Sequence, residues 1–173
     1  TLRKELGIPE DKKIVLIITS HSHTGLIPAL DMAQHRRSLR RLLSRTSARQ
    51  DQIALVLRHH PAFDHAEFYS QFGSAFIATR QHDITDLVRM ADVVVLPNTP
   101  TSAFLAPILV GVPELFIHTA GFWRWPFPPP GVGNDCIIRE DDQIWPTLER
   151  TLFEPRFRSA VIEANRRVFG KLG

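Results

Sequence analysis

Thr101 and Ser102 follow the apolar run at residues 93–96 across the polar turn Pro97-Asn98-Thr99-Pro100, and an apolar stretch to Val110 comes next. Strand, polar turn and helix in that order place free helix N–H groups and two hydroxyls at the end of a strand. Such a turn binds an anion such as a diphosphate, because the N–H groups and the positive end of the helix dipole face it. The same two residues also suit a helix N-cap, and both roles stay open. Similar polar turns follow the other apolar runs. His21 and His23 lie in Thr19-Ser20-His21-Ser22-His23-Thr24-Gly25. Imidazole suits zinc, yet no cysteine or carboxylate at ligand spacing accompanies the pair. A phosphate contact or a proton transfer is the alternative. Arg58-His59-His60-Pro61 ends another run; neighbouring strand side chains point to opposite faces, so at most one of the two histidines enters a shared cleft. Thr79, Arg80 and His82 follow a third run, and His118 a fifth.

The elements that must position these groups follow from the hydrophobic pattern. Residues 14–18, 53–57, 75–78, 93–96, 115–117 and 136–138 read as strands. The runs at 14–18 and 93–96 are apolar on successive residues, the pattern of parallel strands covered on both faces. Between them lie helical patterns at 28–48, 66–72, 84–90, 102–110, 141–153 and 156–169, with Asp83 as an N-cap for the third. Pro107 falls inside the fourth, where it removes a backbone bond and is expected to kink the helix. Alternation at this spacing predicts a Rossmann-like α/β fold. It is a three-layer α/β/α sandwich with a six-stranded, mostly parallel sheet, in one domain over 1–173. The candidate residues then share the carboxyl edge, where an open sheet of this class holds its ligand.

Composition bounds the rest. Hydrophobic content is 43%, charged content 23% and the formal charge +3, which fit an ordinary globular chain. His35, Arg36, Arg37, Arg40, Arg41, Arg45 and Arg49 lie in one segment; a solvated helix face is the ordinary reading of such a run, and a nucleic-acid or anionic-lipid patch the sharper one. A single cysteine, Cys136, excludes an internal disulfide framework. No apolar run reaches the roughly 18 residues of a membrane span, and no signal peptide opens the chain. The opening TLRKEL, without Met, suggests a piece cut at a domain boundary. The loop 118–135 carries Trp123 and Trp125; it either folds onto its own domain or meets a partner. G-x-G-x-x-G, Walker A and G-x-S-x-G sequences are absent, which argues against dinucleotide-binding, P-loop and α/β-hydrolase domains.

Taken together, these motifs resemble the carboxyl-terminal domain of GT-B-fold glycosyltransferases along nearly the whole chain. Leu57-Arg58-His59-His60-Pro61 is similar to the R-x-H-P segment of capsule and teichoic-acid type transferases, including the CDP-glycerol glycerophosphotransferase group. Asp83-Ile84 through Ala91-Asp92-Val93 is similar to their D-[IL]-x-x-L-[LV]-x-x-A-D segment. Thr101-Ser102 followed by Gly111-Val112-Pro113 is similar to their diphosphate helix. The resemblance implies a domain that binds a nucleotide-activated sugar or polyol donor for cell-surface polysaccharide synthesis, with an acceptor domain missing from the amino-terminal side. It implies His21 and His23 as catalytic residues. The donor would be held by Arg58, His60, Thr79, Arg80, Asn98, Thr99, Thr101, Ser102 and His118. No metal, cofactor or nucleic acid is expected. The implied location is the cytoplasm, with peripheral attachment at the inner face of the membrane as a variant. Two departures stand out: Ala106 occupies the place of the family's acidic ribose contact, and Asn98-Thr99-Pro100 replaces its usual acidic or glycine-containing turn. A non-hydrolysing nucleotide-sugar epimerase and a non-catalytic interaction module are the other readings.

Overall fold

The computed structural model describes residues 1–19, 32–58, 71, 77–79, 81–98, 101–119 and 128–171. The strands are β1 (Lys13–Ile18), β2 (Ile53–Arg58), β3 (Ile77–Thr79), β4 (Val93–Pro97), β5 (Glu114–Ile117) and β6 (Ile137–Ile138). They form one sheet in the order β3-β2-β1-β4-β5-β6, and every pairing is parallel. The expected parallel α/β class is what the chain adopts. Ile14–Ile18 and Val93–Pro97 are buried at every residue, as their unbroken apolar runs demand. Each such side chain contributes about 1.5–3 kcal/mol on leaving water.

The helices are α1 (Leu2–Glu5), α2 (Met32–Ser47), α3 (Ile84–Met90), α4 (Leu105–Val110), α5 (Ile144–Phe153) and α6 (Pro155–Arg166). Asp83 caps α3: its carboxylate accepts from the Thr85 N–H at 2.7 Å. That bond, the first cause, holds the Asp83 carboxyl below the usual range. The predicted helix 66–72 lies outside the described residues, apart from Gln71. The predicted kink at Pro107 takes another form. Residues Ser102–Phe104 form a 3-10 turn and the α-helical segment starts only at Leu105. Pro107 thus sits in the first α-turn, where an N–H has no intrahelical acceptor to lose. Gly111, at φ +82°, ends the helix in the left-handed region that suits glycine.

Helix α2 divides cleanly. Ser38, Leu39, Leu42, Leu43 and Thr46 are buried, while Arg36, Arg37, Arg40, Arg41 and Arg45 are exposed. The like-charge pairs 36/40, 37/41 and 41/45 each cost the helix about 0.2–0.5 kcal/mol. Burial of its leucines against the sheet outweighs that.

Glu114 opens β5, one residue earlier than its apolar pattern suggests, and it is fully buried. Its main chain is stitched to α6: the Glu114 N–H donates to Asn165 Oδ1, and Asn165 Nδ2 donates to the Glu114 carbonyl, both at 2.9 Å. Neither carboxyl oxygen has a hydrogen-bond partner among the described residues. Burial pushes this carboxyl well above the usual range, so it is a neutral acid. Burial, and then the neighbouring Glu114, also push the Cys136 thiol up to about 12, which leaves it unreactive.

A raised carboxyl means that the unfolded state loses this proton first. Stability is therefore complete at acid pH and falls as pH rises from the ordinary glutamate range toward the folded value, by up to about 1.4 kcal/mol per unit. Glu114→Gln removes that component. Urea midpoints measured from pH 4 to pH 9 should show a steeper alkaline decline in the native chain than in the variant; parallel curves would mean that Glu114 is ionised in the fold.

Candidate functional site at the carboxyl edge of the sheet

Because all strands run the same way, Ile18, Arg58, Thr79, Pro97, Ile117 and Ile138 end on one edge. Strand order reverses beside β1: β2 and β3 follow it on one side, β4, β5 and β6 on the other. The crevice of a doubly wound sheet opens at that reversal.

On the β2 side, Thr19 joins two strand ends. Its N–H and its Oγ1 both donate to the Arg58 carbonyl, at 3.1 and 3.2 Å. Arg58 is register partner to Thr79. Partial burial lowers the Arg58 guanidinium's pKa, against the opposing pull of Asp83; the group stays charged. Thr79 is buried, and its hydroxyl lies 2.5 Å from His82 Nδ1. His82 Nε2 lies 3.1 Å from Glu5 Oε1. The carboxylate accepts from Nε2, and the ring bridges the Thr79 hydroxyl to Glu5. The Thr79 hydroxyl is thereby committed to the fold, and the relay ties α1 to the end of β3.

On the β4 side, Asn98 is fully buried, with φ +50°. Asparagine tolerates this left-handed conformation better than most residues. Its N–H donates to the Ile117 carbonyl at 2.8 Å and its Oδ1 accepts from the Thr119 N–H at 2.8 Å. Its Nδ2 donates to Thr119 Oγ1 at 3.1 Å. Thr101 Oγ1 accepts from the Ala103 N–H at 3.2 Å, an N-cap geometry, while Ser102 is exposed. His118 donates its backbone N–H to Ile138 at 2.7 Å. Burial, then Arg139, hold the His118 ring below the usual imidazole range, so it is neutral at pH 7.

The structure therefore collects Arg58 with Thr79 on one side of β1, and Asn98, Thr101, Ser102 and His118 on the other. His21, His23, His60, Arg80 and Thr99 lie outside the described residues. Four residues that sequence reasoning missed, Ser38, Thr119, Asp141 and Gln34, complete the β4 side. Ser38 is fully buried, with its Oγ 2.6 Å from Thr119 Oγ1 and donating to Asp141 Oδ1 at 2.6 Å. One directed chain results: Asn98 amide to Thr119 hydroxyl, to Ser38 hydroxyl, to the Asp141 carboxylate. Gln34 Nε2 donates to the other Asp141 oxygen at 3.0 Å. These positions are far apart in sequence, and no spacing rule links them. Among the described residues, no group of three His, Cys, Asp or Glu could hold a metal ion.

Asn98 does two jobs, and two variants separate them. Asn98→Ala loses the Thr119 contacts and strains the left-handed backbone; Asn98→Gly loses only the contacts. The alanine variant should be destabilised by about 2–4 kcal/mol and the glycine variant by about 1 kcal/mol less, read from urea unfolding. Equal losses would show that the backbone conformation carries no cost.

No family model matches the chain, and no curated protein does either. Solved structures do match. WaaG, a glycosyltransferase involved in lipopolysaccharide biosynthesis, aligns at 18% identity and TM-score 0.56, over 95% of this chain and 44% of its own. The wall teichoic acid polymerase TagF aligns at 15% and 0.54, over 98% and 40%. A putative UDP-N-acetylglucosamine 2-epimerase from Listeria monocytogenes aligns at 13% and 0.64, over 99% and 45%. This chain spans less than half the length of each. At such identities the likeness is one of fold: the chain has the Rossmann-like α/β fold that these GT-B glycosyltransferases and the epimerase contain.

Proposed function

We propose that this chain is the donor-nucleotide domain, the carboxyl-terminal half, of a GT-B glycosyltransferase or polyol-phosphate transferase of cell-surface polysaccharide synthesis. The observation that supports it most is the reversal of strand order beside β1, with Arg58 and the Thr101–Ser102 turn on opposite flanks of the crevice. The helices lie on both faces of the sheet in this reading, and the acceptor binds a second domain.

The roles follow from chemistry. The donor's diphosphate meets Arg58, His60 and the exposed Ser102, through its hydroxyl and its backbone N–H, since the N–H groups of Ala103 and Phe104 are already bonded to Thr101. Its base lies near residues 79–80. Asn98 acts by fixing the turn rather than by touching the donor, because its side chain is already used within the fold. Neutral His118 offers a hydrogen bond without a charge. The acceptor hydroxyl attacks the activated carbon, the bond to the diphosphate breaks, and its electron pair leaves with the nucleoside diphosphate. Fixed donors and Arg58 stabilise that departing charge. His21 or His23 takes the acceptor's proton or holds a phosphate oxygen. Ala106 leaves the ribose without an acidic partner, so affinity rests on the phosphate half. A nucleotide-sugar epimerase would use the same crevice, and the fold shared with such an enzyme favours it as the second reading.

Amide spectra of the labelled chain titrated with UDP, CDP and GDP test the donor site. At least one nucleotide should shift Ser102, Ala103 and Thr19. Ser102→Ala and Arg58→Gln should each weaken that nucleotide by about 1–3 kcal/mol. Silence from all three nucleotides would rule the site out, and unchanged affinity in both variants would move the phosphates elsewhere.

A further inference from the structure

Asp141 opens the short 3-10 turn ahead of α5, and its side chain is only 12% exposed. Three other elements reach it. Gln34 and Ser38, on the first two turns of α2, each donate to one of its oxygens, at 3.0 and 2.6 Å. Ser38 meets Thr119, just past β5, at 2.6 Å, and Thr119 meets Asn98, just past β4, at 3.1 Å. One carboxylate thus gathers the start of α2 and the ends of β4 and β5. Each hydroxyl in this relay has a single hydrogen to give, and the carboxylate has none. The Gln34 carbonyl, at 3.1 Å, competes for the Ser38 hydrogen, but the charged oxygen at 2.6 Å is the stronger acceptor. With Ser38 donating to Asp141, Thr119 donates to Ser38, and Thr119 Oγ1 is left to accept from Asn98 Nδ2. That orients the Asn98 amide, whose Oδ1 then faces the Thr119 N–H at 2.8 Å.

We propose that Asp141 is a positioning residue of the crevice: by fixing the sense of this relay, it holds the turn after β4 in the conformation that presents Ser102. Asp141 meets no ligand itself. An asparagine in its place keeps the shape and loses the sense, because its amide can offer Ser38 either a donor or an acceptor. In the reverse sense Ser38 donates to Thr119. Thr119 then has to donate to Asn98 Oδ1, which lies 3.5 Å away and already accepts from the Thr119 N–H. A short contact is exchanged for a long one, and the Asn98 amide loosens. The backbone of Asn98 is left-handed, at φ +50°, and leads directly into the turn before Ser102. Relaxing the side chain that secures it therefore relaxes the turn. That this turn meets a donor rests on the reading proposed above; the coupling of Asp141 to the turn does not.

Amide exchange in the labelled chain reads the relay, since the Thr119 N–H lies on Asn98 Oδ1. With the core amides of β1 as reference, Asp141→Asn should speed Thr119 exchange about tenfold, the loss of one charge-assisted bond, and shift the amide signals of Asn98 and Ser102. Thr119→Val removes the hydroxyl and should do the same; Thr119→Ser keeps it and should not. Thr151→Val is the control. It removes a hydroxyl bond of 2.7 Å to the Thr147 carbonyl within α5, and it should leave Thr119 and Ser102 unmoved whatever it costs in stability. Native exchange and signals in a folded Asp141→Asn variant overturn the proposal, and so do equal changes in the Thr151 variant. Titration with UDP, CDP and GDP carries the test to the crevice. A nucleotide that binds the native chain should bind Asp141→Asn about tenfold more weakly, and equal affinity overturns the positioning role. If none of the three binds the native chain, the donor reading fails, and the exchange rates still decide what Asp141 does.

Discussion

Strand β4 is held at both ends, and the rest of the sheet is hung on it. At its amino end Asp92 accepts from the Ile14 N–H at 2.9 Å and pairs with Lys13 at 3.0 Å, fixing β4 against β1. The Asp92 carbonyl accepts from Arg158, which brings in α6. At its carboxyl end Asn98 bonds to Ile117 and Thr119, fixing β4 against β5. Between the two anchors every residue is buried, so apolar packing supplies the energy and the anchors supply the register. A slip of one residue would break both clamps at once. The reversal of strand order at β1 and β4 depends on this register, and so does the position of the turn that follows Asn98.

Polar groups in this fold divide by whether the strand ends use them. Thr79 and Asn98 come from the same kind of polar turn as Ser102, yet both are consumed internally, one by His82 and the other by Thr119. Only the groups left exposed can meet a ligand. A buried chain of hydrogen bonds ending on the Asp141 carboxylate is directed, and each donor in it polarises the next. It stiffens the β4–β5 side of the edge. On the β2–β3 side, Thr79, His82 and Glu5 do similar work through a helix, α1, that buries no residue of its own.

The backbone plan was legible because it is written in local patterns. Val93-Val94-Val95-Leu96 admits few readings other than a covered strand, and Asp83 marks its helix by the chemistry of the cap. What was hidden needs three dimensions. Glu114 follows Pro113 and reads as a polar loop residue; nothing nearby in sequence reveals that Asn165 draws its backbone into β5. Ser38, Thr119 and Asp141 meet only because α2, β5 and the start of α5 converge. Pro107 is a breaker by any local rule. Its consequence depends on where the α-helical segment starts, which the packing of α4 decides. The site was legible as an edge and not as a set of contacts, since exposure and occupancy of each hydroxyl are tertiary facts.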